Sequence, residues 1–184
     1  METPRSYSPL QRLLHWVIAA AVIVMIPVGI YMVRRGQWSN FDALTNTLYS
    51  WHKLIGFCVL WLVVLRIIVR LVRGAPPPEP LHPLQQFAAS ATHFGLYVLI
   101  LLVPILGWTG VSAYGARGTP LGFNLPEILA QNQALGETIL VYHGWAAILL
   151  GLLALMHIGA ALMHRFILKD GVFARMWPSA GGRR

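Results

Sequence analysis

Charge is scarce in this chain. Only 11% of its 184 residues are Asp, Glu, Lys or Arg, where a soluble domain carries about 25%. Hydrophobic residues make up 57%. That balance excludes an ordinary water-soluble globule and indicates a membrane protein. Cysteine is nearly absent: Cys58 is the single one, inside an apolar run. An intrachain disulfide, a CxxC redox pair, a thiolate metal centre and covalent c-type haem attachment are therefore excluded. Acidic residues are few as well: Glu2, Asp42, Glu79, Glu127, Glu137 and Asp170. None lies in the middle of an apolar run. Basic residues outnumber acidic ones by 14 to 6, for a formal net charge of +8. They sit at the ends of apolar runs rather than on one patch. Nucleic acid is thereby excluded as a partner, and the charges read as membrane topology signals. No internal repeat is evident.

What is present is length of apolar sequence. The runs 13–33, 54–71, 94–114 and 139–162 can each cross a bilayer, given that about 20 apolar residues span the hydrocarbon core. The expected fold class is all-α: an integral membrane four-helix bundle forming a single domain over 1–184. Its helices are expected at about 9–33, 46–73, 84–114 and 136–168. Ser8 reads as the N-cap of the first helix, with Pro9 at its first position and Gln11 completing a capping box. With Arg5 and Arg12 beside it, this run has the charge of a signal peptide but not its form. It is too long for one and lacks a clear cleavage site. The prolines of "RGAPPPEPLHPLQQ" stop the second helix. The segment "GARGTPLGFNLPEILAQNQALGE" after the third is rich in turn formers.

Lysine and arginine set the expected orientation. Arg5, Arg12, Arg66, Arg70, Arg73, Arg165, Lys169, Arg175, Arg183 and Arg184 fall on one side, and Arg34, Arg35, Lys53 and Arg117 on the other. The excess places both termini in the cytoplasm.

The stretch "LVYHGWAAILLGLLALMHIGAALMHRF" is apolar enough to span, yet it carries His143, His157 and His164. Intramembrane ionisable residues are functional-site hypotheses by default. Alternating helix directions put His52 and His143 near the outer end and His15 and His157 near the inner end. His143 and His157 are 14 residues apart, a rise of about 21 Å with only about −40° of net rotation. Both rings therefore point to one side of the fourth helix. A lone intramembrane histidine is commonly an interhelical hydrogen-bonding residue. Four in two depth-matched pairs form a different pattern. Haem b takes one imidazole above and one below its ring, supplied by facing helices of a bundle. Zinc wants four ligands, often carboxylate or thiolate, and the middle of these spans offers neither. Gly56, one turn from His52, would let a flat ring approach the backbone. Trp16, Trp51, Trp61, Trp108, Trp145, Tyr97 and Tyr142 either line such a ring or belong to interfacial belts. His82, in the proline-rich link, reads as solvated.

Four segments carry a family resemblance: "LQRLLHW", "WHKLIGF", "THFGLYVLILLVPILG" and "YHGWAAILLGLLALMHIGAALMHRFILKDGVFARMWP". With them the chain resembles the bacterial cytochrome b561 family of small four-helix di-haem b membrane proteins. The resemblance runs nearly the whole length. It implies iron ligands at His15, His52, His143 and His157, paired His15–His157 and His52–His143. It also implies electron exchange with the quinone pool, ubiquinone by expectation, and oxidation of superoxide at the outer face. The chain would then be a quinone-linked oxidoreductase or a plain electron carrier. Candidates for binding haem propionates or steering an anion are Arg34, Arg35, Lys53 and Arg117 outside and Arg66 and Arg70 inside. His164, seven residues past His157, and His93 are candidates for quinone contact. The cytochrome b subunits of hydrogenases and formate dehydrogenases look similar in plan. A membrane-anchor subunit passing electrons between quinone and a separate dehydrogenase or periplasmic cytochrome therefore stays open. A histidine-based metal or proton transporter is disfavoured by the missing mid-span carboxylates.

Overall fold

A computed structural model describes residues 6–77, 79 and 81–177. Arg5, Arg183 and Arg184, counted above for topology, lie outside them. Four long helices make the architecture: α1 Pro9–Ser39, α2 Ala43–Arg73, α3 Pro83–Tyr114 and α4 Gln133–Met163. The last continues without a break as a π-helical turn, His164–Leu168, followed by a 3-10 turn, Phe173–Arg175. All four are long and apolar enough to cross a membrane. Among the described residues there is no strand, only an isolated bridge between Gly118 and Asn124. The chain is a four-helix membrane bundle, with α1 packed on α2 and α3 on α4.

The helix starts follow local chemistry. Ser8 accepts from the Gln11 N–H and the Gln11 side chain accepts from the Ser8 N–H, so the expected capping box forms. Asp42 caps α2 through the Thr45 N–H and Asn132 caps α4 through the Leu135 N–H. His82 is more than solvated. Its Nδ1 accepts the Leu84 N–H and caps α3. Every helix thus begins at or before its expected residue, because caps lie in the polar flank outside the apolar run. The larger difference is at the end of α1, which runs past Val33 to Ser39 and stops where Asn40 turns left-handed at φ 49°. Arg34, Arg35 and Gln37 propagate a helix well without being apolar. Pro27 and Pro104 sit inside α1 and α3, as membrane helices tolerate.

The α1–α2 corner is held by Asp42, which pairs with Arg35 and accepts from the Thr45 hydroxyl at 2.7 Å. The Thr45 hydroxyl and the Arg35 guanidinium hold its carboxyl well below the usual carboxylate range. At the other end of the molecule the C-terminal segment folds back on α1. Trp16 Nε1 donates to the Met176 carbonyl at 2.8 Å, Arg12 to the Trp177 carbonyl at 3.0 Å, and Arg175 pairs with Glu79 at 3.2 Å. Between the ends, Ile18, Val59 and Val63 form a buried apolar layer, with Ala21, Val22, Ile100 and Leu101 packed against it.

Candidate functional site

The four mid-span histidines meet in two pairs. His52 on α2 faces His143 on α4, ring centroids 6.1 Å apart and planes at 90°. His15 on α1 faces His157 on α4 at 6.3 Å and 82°. The apolar layer of Ile18, Val59 and Val63 lies between the pairs along each helix. The depth matching drawn from helix direction thus corresponds to actual neighbours.

The outer pair shows how the backbone prepares a ring. His143 Nδ1 lies 2.8 Å from the Val103 carbonyl of α3. A carbonyl only accepts, so Nδ1 carries the proton and a neutral ring has Nε2 free as a lone-pair donor. One turn on, Gly107 leaves the space the ring fills. A Cβ there would meet His143 Cε1 at 3.1 Å and Nδ1 at 3.2 Å. Gly29 on α1 does the same for His52, where a Cβ would meet Cε1 at 3.2 Å. Gly56, singled out above, lies only against Met25 at an ordinary 3.7 Å. The close approaches come from other helices. Sequence reading missed them because nothing local says which helix will face a ring.

These rings can be tested for fit to haem. Two axial metal–nitrogen bonds of about 2 Å, plus the reach from each nitrogen to its ring centre, put imidazole centroids about 6 Å apart. Both separations, 6.1 and 6.3 Å, agree. His52 Nδ1 is buried with no hydrogen-bond partner, a rare condition in a finished interior. A bare metal ion fits worse. Among the described residues no three His, Cys, Asp or Glu gather as an ion site.

The inner pair has more company. His93 of α3 lies 5.3 Å from His157. As a candidate quinone contact its expected depth is that of His164; it stands beside His157 instead. The Arg66 guanidinium donates to the Gln11 carbonyl at 2.9 Å and lies within electrostatic reach of His15, His93 and His157. Arg70 donates to the Tyr7 hydroxyl at 3.3 Å and lies over the Tyr97 ring. Tyr7, Gln11, Arg66, Arg70 and Tyr97 line a small cleft here.

Further along α4, His164 is buried, and its Nδ1 meets Asp170 Oδ2 at 2.5 Å. The π-helical turn and left-handed Lys169 bring the carboxylate round. Partial burial pulls the Asp170 carboxyl up, but the His164 bond and the Val172 N–H outweigh it and hold it below its ordinary value. The motif "H-R-F-x-x-K-D" contained this pair, but only the π turn shows that its two ends touch. At the outer end, Lys53 donates to the Ala116 carbonyl at 2.9 Å and Arg117 pairs with Glu127 at 2.9 Å. Arg35 is taken by Asp42, while Arg34 is exposed on the helix surface.

Residues 6–179 match the family model described as prokaryotic cytochrome b561. The chain belongs to the prokaryotic cytochrome b561 family. Cytochrome b561 homolog 2 of Escherichia coli strain K12 is 33% identical over 95% of this chain and 92% of its own length. A Yersinia pestis protein named probable superoxide oxidase CybB is 28% identical, covering 97% of this chain and 99% of that one. Cytochrome b562 of Cereibacter sphaeroides is 32% identical over 92% and 94%. As a cytochrome b561 the chain is a multi-pass membrane electron-transfer protein, and its family implies haem b. In this cytochrome, Gly107→Ala should push the His143 ring off the Val103 carbonyl. The expected result is a shifted low-spin electron paramagnetic resonance signal from bound haem; an unchanged spectrum would show that the glycine does not set the ring.

Proposed function

We propose that this cytochrome carries electrons across the bacterial inner membrane through two haems b. His52 and His143 would hold one near the outer face, and His15 and His157 the other near the inner face. The termini would lie in the cytoplasm, the donor outside, and the acceptor would be the quinone pool, ubiquinone by preference. The observation that carries this is two facing imidazole pairs of matching separation, stacked along α4.

Haem supplies one-electron redox chemistry at its iron when bound. The rest falls to the chain. Val103 keeps the His143 proton on Nδ1 and so leaves Nε2 to coordinate. Orientation through such a partner is typically worth 10–100-fold in affinity or activity. The layer around Ile18, Val59 and Val63 keeps water from between the two sites. Arg66 and Arg70 are placed to offset propionate charge beside the inner pair. At the inner end, Asp170 holds the His164 proton on Nδ1, which frees Nε2 for a quinone or its proton. His93 and Tyr97 stand nearer the inner pair, His93 beside His157 and Tyr97 in the cleft with Arg66 and Arg70.

For the donor, the relative named as a probable superoxide oxidase supports superoxide, which gives up one electron to become dioxygen. A cationic mouth would steer that anion. Of the four outer cations, Arg35 and Arg117 are neutralised by Asp42 and Glu127, so their share of the field is small. Arg34 and Lys53, in no ion pair among the described residues, carry it.

One preparation tests the reading. A dithionite-reduced minus oxidised visible spectrum, with haem quantified per chain, should give two low-spin haems b. Absence of haem after expression with ample haem supply would sink it. With the same material, Arg34→Gln with Lys53→Gln should slow superoxide-driven haem reduction at low ionic strength. The difference should shrink near 0.15 M salt, where the screening length is about 8 Å. An unchanged rate at low salt would remove the steering role.

A further inference from the structure

The connection from α3 to α4 does not stand above the bundle. Trp108 Nε1 donates to the Pro126 carbonyl at 2.9 Å. Trp108 lies six residues before Tyr114, the last residue of α3, so Pro126 has come back about 9 Å along that helix. Ser112, only 2% exposed, confirms the path: its hydroxyl accepts the Ile128 and Leu129 N–H groups at 3.0 and 3.1 Å and reaches the Leu129 carbonyl at 3.2 Å. Residues 125–129 therefore run beside the last two turns of α3.

The helix contacts give the depth of this segment. Gly107 abuts His143 and Gly110 abuts Leu140, so Trp108, and Pro126 with it, lies level with Tyr142 of α4. Tyr142 and Trp145 are 62% and 67% exposed, as in the aromatic belt where a membrane protein meets the headgroups.

The segment's own chemistry suits that depth. Part of its backbone is paired from within: Leu125 N–H donates to the Arg117 carbonyl at 3.0 Å, the Arg117 side chain donates to the Leu125 carbonyl at 3.1 Å, and Thr119 N–H donates to the Phe123 carbonyl at 3.0 Å. A loop in water has no need of this, whereas backbone away from water must have it. Between Arg117 and Glu137 the only charged residue is Glu127, and Arg117 neutralises it. The segment's exposed large apolar side chains are Leu121 at 65%, Phe123 at 45% and Ile128 at 41%, alongside exposed Asn124 and Glu127. Phe57 of α2 packs on Trp108 at 5.0 Å, and Lys53 of α2 reaches Ala116, so the segment lies by the α2–α3 seam.

We infer that residues 118–129 lie within the headgroup–acyl boundary of the leaflet at this end of the bundle, as a rigid interfacial segment whose partner is lipid. An apolar surface of this kind typically sinks about 5–10 Å into that boundary.

The lone Cys58 makes a direct test convenient. In a Cys58→Ser background, Leu121→Cys, Phe123→Cys, Leu149→Cys and Glu137→Cys are spin-labelled one at a time. Each variant is purified from membranes, checked to elute like the parent, and placed in phosphatidylcholine nanodiscs. Power saturation is then measured with oxygen, which prefers lipid, and with a water-soluble nickel chelate. The oxygen-to-nickel ratio at 121 and 123 should be several-fold above that at the water-facing position 137. It should approach that at the lipid-facing position 149. Ratios at 121 and 123 equal to that at 137 would overturn the inference and leave this tip to an aqueous partner such as a donor protein. If the labelled tip variants fail to elute like the parent, Ile128→Cys on the flank decides by the same comparison.

Discussion

Changing His143 to alanine is expected to halve the haem content and stop electron transfer across the membrane. His15→Ala is expected to cost much less. The two outer rings have no understudy: His52 faces His143 at 6.1 Å, and among the described residues no other imidazole stacks on either. Once His143 is gone, the remaining ring cannot provide bis-histidine ligation. Transfer should fall by more than about 100-fold, since even a supporting partner one shell further out can be worth that much. At the inner site a third ring is present. His93 lies 5.3 Å from His157, close enough for a rotamer change to bring it opposite. The His15 variant should thus keep an inner haem with altered ligation, visible as a shifted low-spin resonance, while His15→Ala with His93→Ala loses it. Haem per chain and low-temperature magnetic resonance of the variants decide this. Equal haem loss from the His143 and His15 single variants would show that His93 cannot serve.

The second large effect is expected at Asp170. Asp170→Asn keeps the shape of the carboxylate but removes its charge from His164, 2.5 Å away. An amide can present its NH2 to Nδ1 and turn the imidazole tautomer round, so that Nε2 carries the proton instead. General acid–base roles contribute about 100- to 10,000-fold, and a misdirected rather than deleted ring should lose the lower part of that range. The expected result is quinone-analogue reduction slowed about 100-fold, with both haems present and their dithionite spectra unchanged. A rate equal to that of the parent would take His164 out of the quinone reaction. The pair's pH response has a definite sign. Asp170 is held below its ordinary value, so its contribution is fully present above the unfolded carboxylate value of about 3.9. That contribution is lost only as pH falls through the lower folded value. Around neutral pH the carboxylate is therefore constant, and any pH dependence of the rate there arises elsewhere.

Much of this molecule could be read in one dimension. The shortage of charge and the four apolar runs specify a membrane bundle, because a bilayer sorts residues by composition over about 20 positions at a time. Ser8, Pro9 and Gln11 declare a helix start, because capping is settled within one turn. The 14-residue interval between His143 and His157 puts both rings on one face of α4, because helical periodicity is a property of a single helix. Pairing by depth followed from alternating direction alone.

The rest required the helices to be in place. Depth says nothing about rotation around the bundle, so the sequence could not show His93 beside His157, Gly107 beneath His143 or Gly29 beneath His52. Hydrophobic runs mark the hydrocarbon and not the helix, so the end of α1 at Ser39 was hidden by the polar but helix-forming residues after Val33. The His164–Asp170 contact depends on a π turn and a left-handed Lys169, and neither has a composition of its own. The loop after α3 read only as turn-rich, yet Ser112 and Trp108 draw it down along the helix flank. Periodicity and composition are carried by neighbours in the chain, whereas these contacts join residues on separate helices, and only their packing decides which of them meet.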